Sequence, residues 1–173
     1  MDDFLAAFFN LDSMRTVAPM LWKGFQVTLL LALAIVPTAL LAGLLIAVLR
    51  DLKIPVLDKV LVAYVDVLRA LPPLVLIIYL YSGLPFLGVR LGEFGTVVIA
   101  LVANGAAFFA EIFRAGLESV SKGQREAARS TGLGVLATEI HVVLPQGVRR
   151  VIPPVASNVV ELTKATALGS VVA

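Results

Sequence analysis

Apolar residues run in long blocks along this chain. The cleanest block, GFQVTLLLALAIVPTALLAGLLIAVL from Gly24 to Leu49, contains no Asp, Glu, Lys or Arg. At about 1.5 Å of rise per residue, some 25 helical residues cross a bilayer core of roughly 30 Å. The block therefore predicts a first membrane span over about 24–49. Pro37 inside it is a natural place for a kink. Trp22 and Lys23 stand at its start, as interface anchors do.

Three further apolar runs follow, over about 60–81, 94–110 and 151–173. The second is broken by Asp66, Arg69 and Pro72-Pro73, the third holds Asn104 and Gly105, and the fourth holds Pro153-Pro154, Asn158, Glu161 and Lys164. The stretch Ser82–Gly95, rich in Gly, reads as a loop. Ahead of the first span, Phe4, Leu5, Phe8 and Phe9 share one face at helical spacing. They predict a short helix lying in the membrane interface, with a frayed terminus as the alternative.

Between the third and fourth runs the chain turns polar, from Glu111 to Arg150. Gln124, Arg125, Glu126, Ala127, Ala128 and Arg129 are good helix formers. Ser121, with Gln124 three positions on, fits a capping box. Gly132 is a helix stop of the left-handed kind. Leu133 to Val143 resumes an apolar periodicity, and Pro145 restricts Leu144 and marks the start of the next span. The segment is thus expected to be a short helix, a sharp turn at Gly132 and a second helix returning to the membrane. Ala127 and Ala128 offer a small surface that another body can approach closely. An ordinary solvated loop helix is the other reading.

Composition agrees with the pattern. Of the 173 residues 60% are hydrophobic, and mean hydropathy is +0.98, well above a soluble domain. The net charge of +2 comes without a basic patch interleaved with aromatics, which argues against nucleic acid. There is no cysteine, so neither a disulfide nor a thiolate metal site is expected. The acidic start, Met1-Asp2-Asp3, is not the basic n-region of a signal peptide. Charge also orients the chain. Arg50, Lys53 and Lys59 lie in one loop, and Arg114, Lys122, Arg125, Arg129, Arg149 and Arg150 lie in the polar segment. Two spans separate them, so both face one side, expected to be the cytoplasm. The N-terminus then lies outside.

Candidate chemistry is sparse. No GxxxxGK[ST] phosphate loop occurs, so ATP hydrolysis is not expected on this chain. His141 is the only histidine and lacks companions for a metal. No nucleophile, base and orienting acid cluster. Asn158, Glu161 and Lys164 are spaced three apart and lie along one helix face, drifting by about 60° per step. A charge at mid-bilayer costs roughly 2.5–3.5 kcal/mol on insertion scales, so such groups face a bundle interior or a watery cavity. One reading is a substrate-lining face, with Glu161 meeting an ammonium or guanidinium group and Asn158 donating and accepting hydrogen bonds. The competing reading is a structural Glu161–Lys164 ion pair, or an interface with a second chain. Arg69 either pairs a substrate carboxylate or supports the break at Pro72.

GQREAARSTG followed by IHVVLPQGVRRVIPP resembles the signature of permease subunits of ATP-binding cassette importers. That signature is Glu-Ala-Ala, a Gly four residues later and a Leu-Pro about a dozen further on. Here these are Glu126-Ala127-Ala128, Gly132 and Leu144-Pro145. The polar amino-acid subfamily is similar across nearly the whole chain. Gly24 and Thr28 match the start of its first span. Arg69 to Leu74 resembles its Arg-Gly-Thr-Pro-Leu-Leu pattern, with Ala70, Leu71 and Pro73 departing. AEIFRAGLESVSKGQREAA, from Ala110 to Ala128, resembles its most recognisable stretch. Pro154, Asn158, Lys164, Thr166 and Leu168 match a pattern near its end, with Ala167 departing. Glu161 stands where the subfamily has an apolar residue, which tilts the expected solute toward cationic or amino-bearing compounds.

The resemblance implies an all-α integral membrane protein, a polytopic helix bundle of the type I ABC importer permease kind. Four of five expected spans are seen, so the sequence is expected to be a fragment of that pattern. It implies that the loop holding Gln124, Glu126, Ala127, Ala128 and Gly132 docks onto a cytoplasmic ATPase dimer, which carries ATP and Mg, with no cofactor on this chain. A second permease chain, an external solute-binding protein and an amino-acid substrate complete the expected assembly, in the bacterial inner membrane. The alternatives are an ion-gradient-driven secondary transporter or channel, in which broken helices are common, and a non-transporting membrane scaffold. No repeat between the halves supports the former.

Overall fold

The computed structural model describes residues 11–172, which are helical with short connections. The apolar cluster expected at Phe4–Phe9 lies outside the described residues. The elements are α1 (Leu11–Asp51), α2 (Pro55–Ala70), α3 (Pro73–Gly83) with a 3-10 turn (Leu84–Leu87), α4 (Glu93–Glu118), α5 (Lys122–Ser130), α6 (Val135–Thr138), α7 (Leu144–Arg150) and α8 (Ile152–Ala165). A π-helical segment, Glu139–Val143, joins α6 to α7, and a 3-10 turn, Thr166–Val171, follows α8.

α1 is longer than the 24–49 block and runs through Pro37 without interruption. The block is apolar all round, so periodicity does not say which face turns inward. Residue size does. Leu31, Ile35, Ala39, Gly43 and Ala47, spaced by four, are buried, while Leu30, Leu33, Leu41 and Leu45 point outward, as in a helix immersed in hydrocarbon. This ridge packs on α4 through small residues, which let two backbones approach. A Cβ at Gly43 would lie 2.5 Å from Phe109 Cβ and 2.9 Å from the Ala106 carbonyl oxygen. Phe109, Leu101 and Ile35 are fully enclosed at the centre.

The 60–81 run is not one straight helix. Proline constrains the residue before it to extended backbone, and Leu71 (ψ 127°) and Pro72 (ψ 136°) obey. The result is a 100° bend between α2 and α3. α2 has 16 residues, about 24 Å at the helical rise, and α3 has 11, about 16 Å. α4, at 26 residues, carries the third run beyond Ala110 into the polar segment. Glu111, Arg114 and Glu118 are therefore part of this helix, paired along it by Glu111–Arg114 and by Arg114–Glu118 at 2.6 Å.

In the polar segment the short helix and the turn are where the pattern places them. Gly132 has φ +90° and donates its N–H to the Arg129 carbonyl at 3.0 Å. Two details differ. Ser121 holds the N-cap position but its hydroxyl makes no cap bond, so the capping box does not form. Pro145 does not begin a new span either. Leu144 is helical (φ −58°, ψ −49°), and the chain stays helical from Val135 to Arg150. A proline ring inside a helix clashes with the preceding turn, and the wider π turn just ahead of it relieves that crowding.

α8 begins with Pro153 and Pro154 in its first turn, where missing N–H groups leave no helical bond unmade. It has 14 residues, about 21 Å, and is shorter than a bilayer core. By length and composition two helices, α1 and α4, are sufficient to cross a membrane, and a third crossing exists if the bent α2–α3 pair is one span.

Candidate functional site

The bend between α2 and α3 leaves backbone carbonyls at the end of α2 without helical partners. Asn104 of α4 answers them. Its side-chain amide donates to the Leu68 carbonyl at 2.7 Å and to the Leu71 carbonyl at 3.4 Å. One turn earlier on α2, the Tyr64 hydroxyl donates to the Ala103 carbonyl at 2.8 Å. The break is thus pinned to α4 from inside the bundle, with Asn104 almost fully buried.

A cavity of about 480 Å³ opens at this break, between α2–α3, α4 and α8. Arg69, Asn104, Phe108, Asn158 and Glu161 bring polar and aromatic groups to its wall. The Arg69 guanidinium lies 5.3 Å above the centre of the Phe108 ring, a cation–π geometry. Asn158 has its amide nitrogen buried without a hydrogen-bond partner. Such an orphan donor costs about 1–3 kcal/mol unless something accepts from it. Glu161 is exposed and accepts from Lys164 at 3.0 Å. Both readings of the fourth run therefore meet in one residue, since Glu161 lines the cavity and is ion-paired. Lys164, named with these residues as a substrate contact, is not in the cavity wall. It follows Glu161 by less than one turn and leans back to pair with it.

Arg69, Asn158 and Glu161, which the sequence pattern singles out, line one cavity, and the pattern passes over Asn104 in the same wall. An amide within an apolar run is a visible signal. Its role depends on the α2–α3 break lying beside it, which spacing does not reveal.

The second candidate surface is α5. Gln124, Glu126 and Ala127 are exposed, while Ala128 is buried against the chain itself. The paired alanines therefore do not form one docking surface. Ala127 faces outward, and Ala128 seats α5 on the rest of the molecule. Arg125 also turns inward. It meets Asp51 at the end of α1 at 2.8 Å and pairs with Glu139 at the start of the π segment. No group of three or more His, Cys, Asp or Glu side chains is placed to hold a metal among the described residues.

Residues 39–173 match the family described as "Binding-protein-dependent transport system inner membrane component". The chain belongs to this family. Among curated relatives, the permease resembles the "Probable glutamine ABC transporter permease protein GlnP" of Bacillus subtilis, 39% identical over 88% of this chain and 70% of that protein. It resembles the "Glutamine transport system permease protein GlnP" of Escherichia coli at 30% identity, over 92% of this chain and 74% of that protein. Among solved structures, an amino acid ABC transporter crystallised with histidines superposes with a TM-score of 0.82 at 34% identity, covering 92% of this chain and 74% of that one. The permease is an all-helical protein of the type I importer fold. The break, the cavity and α5 are thus features of a transport subunit rather than of a scaffold.

Proposed function

We propose that this permease is the transmembrane subunit of an ATP-driven importer of polar amino acids in the bacterial cytoplasmic membrane, with α5 on the cytoplasmic side and the N-terminus outside. Its family and its amino-acid transporter relatives support the reading. ATP and Mg are handled by a cytoplasmic ATPase dimer that docks on α5. A second permease chain, the same or paralogous, completes the path, and an external binding protein delivers the solute.

The observation that carries the site is the cavity at the α2–α3 break. It offers a guanidinium at Arg69, a carboxylate at Glu161 and an unpartnered amide at Asn158. A zwitterion needs both charges and a neutral donor, since desolvating either of its own charges unpaired is costly. Arg69 pairs the solute carboxylate, Glu161 the ammonium or a basic side chain, and Asn158 adds a hydrogen bond. Lys164 holds Glu161 in the absence of solute and gives way to the solute cation. Alternating access then requires these contacts to differ between the two states.

The test is uptake of radiolabelled arginine, histidine, glutamine and glutamate into proteoliposomes carrying the whole complex, for wild type, Arg69→Gln and Glu161→Gln. Arg69→Gln lowering uptake of every transported amino acid, and Glu161→Gln changing the ranking among them, support the site. Unchanged uptake in both variants removes it.

A further inference from the structure

Arg125 is the inward-facing cation of α5, and it touches three elements at once. Its guanidinium donates to both Asp51 carboxylate oxygens, at 2.8 and 3.4 Å, to the Glu139 carboxylate, and to the Leu117 carbonyl of α4 at 3.1 Å. The Asp51 and Glu139 side chains are each only 9% exposed, against 25% for Arg125. The π segment begins at Glu139, so the wide turn that accommodates Pro145 also sets this carboxylate into the cluster.

The charges do not balance. With both acids ionised, one guanidinium faces two enclosed carboxylates, leaving a net charge of −1. Lys53 acts on both acids electrostatically but makes no ion pair with either. Lys122, Glu126 and Arg129 of α5, His141 of the π segment and Arg149 and Arg150 of α7 are exposed and pair with neither acid among the described residues. Arg114 and Glu118 of α4 pair with each other, and Asp58 of α2 pairs with Arg50. Enclosed like charges relieve their repulsion by sharing a proton. Burial, with a hydrogen bond to Asp51 and the charge on Asp51, pushes Glu139 up to about 7.

We infer that Arg125 is a positioning residue that clamps α5 to the end of α1 through Asp51 and Glu139, and that a proton shared by these two carboxylates sets how firmly α5 is held for ATPase coupling. This rests on the reading of α5 as the docking helix. With the proton bound, Asp51 and Glu139 are hydrogen-bonded and the cluster is neutral. When the proton leaves to solvent, each acid is drawn more strongly to Arg125, but burial and the Asp51 charge outweigh that attraction. The two acids repel across the guanidinium, and the end of α1 and the π segment that grip α5 are pushed apart.

The experiment measures ATPase activity of the reconstituted complex with and without loaded binding protein, between about pH 6 and pH 8, for wild type, Glu139→Gln and Arg125→Gln. The readout is the ratio of stimulated to basal rate, which cancels titration of the ATPase itself. In wild type the ratio falls by about threefold as pH rises through 7, within the tenfold per unit that one proton allows. Glu139→Gln keeps size and hydrogen bonding, holds the cluster neutral and flattens the profile at its low-pH level. Arg125→Gln abolishes stimulation at every pH. Where Arg125→Gln does not assemble, the Glu139→Gln profile decides alone. A Glu139→Gln profile that matches wild type overturns the proton clamp while leaving the importer reading intact. Absence of stimulation in wild type at every pH overturns the importer reading instead.

Discussion

Asn104 of α4 donates its side-chain amide to the carbonyl of Leu68, 2.7 Å away in the last turn of α2. Through this bond a buried side chain completes the end of a helix that Pro72 and Pro73 have cut short. The cavity wall at Arg69 and Leu71 depends on it, because both residues follow directly from the pinned carbonyl.

Asn104→Leu should leave the Leu68 carbonyl enclosed without a donor. The expected loss of stability is about 1–3 kcal/mol, read as a lower melting temperature of the purified complex. Amino-acid uptake should fall further than stability alone explains, because the break that shapes the cavity is no longer held. An unchanged melting temperature would show that water or another donor serves the carbonyl equally well.

Gly43→Val places a side chain where even a Cβ would meet Phe109 at 2.5 Å. The α1–α4 contact must then open, at a cost of about 1–3 kcal/mol for overpacking. The same change at Gly24, where nothing lies within 4 Å, should be silent. Thermal unfolding of the two variants side by side checks the ridge assignment.

Glu161→Gln should separate binding from stability. The Glu161–Lys164 pair is exposed on both sides, so its loss costs less than about 1 kcal/mol of stability. A cationic amino acid, however, loses a charge-assisted bond in the cavity. Its uptake should fall by about tenfold, while that of a neutral amino acid changes less.

The melting temperature should depend on pH through Glu139. Its folded value is raised from 4.5 to about 7, chiefly by burial. The stabilisation from its proton is complete below 4.5 and is lost as pH rises through about 7. Wild type should therefore melt lower at about pH 8 than at about pH 6, by about 2 °C or more. Glu139→Gln should remove the difference, and a difference that persists would assign it to another group.

Much of the fold is legible in the chain. The uncharged block ending at Leu49, the Asn-bearing third run and the helix–Gly132–helix segment all emerge from hydropathy, propensity and one left-handed glycine. What the pattern blurs is where one element stops. The polar positions Glu111, Arg114 and Glu118 look like the start of a loop, yet they extend α4 by pairing among themselves. Pro145 looks like a boundary, yet the π segment carries it within a helix. The Pro72-Pro73 pair marks a break correctly, but the hydropathy pattern does not give the 100° angle between the two helices. In the site, Arg69, Asn158 and Glu161 stand out as charged or polar groups in apolar runs. Asn104 is no less visible, but its meaning lies in a neighbouring helix's orphan carbonyls. Asp51, Arg125 and Glu139 sit in polar surroundings where charge is unremarkable, and only the folded chain encloses them.

Glu126→Lys asks whether α5 passes solute-driven motion to an ATPase, as proposed above. Glu126 is exposed and makes no side-chain ion pair among the described residues, so stability should change by less than about 0.5 kcal/mol. The measurement is ATPase activity of the reconstituted complex, with and without amino-acid-loaded binding protein. Wild type should be stimulated, whereas Glu126→Lys should retain its basal rate and lose the stimulation. A Glu126→Lys complex that assembles and is stimulated like wild type would show that α5 is not the coupling helix.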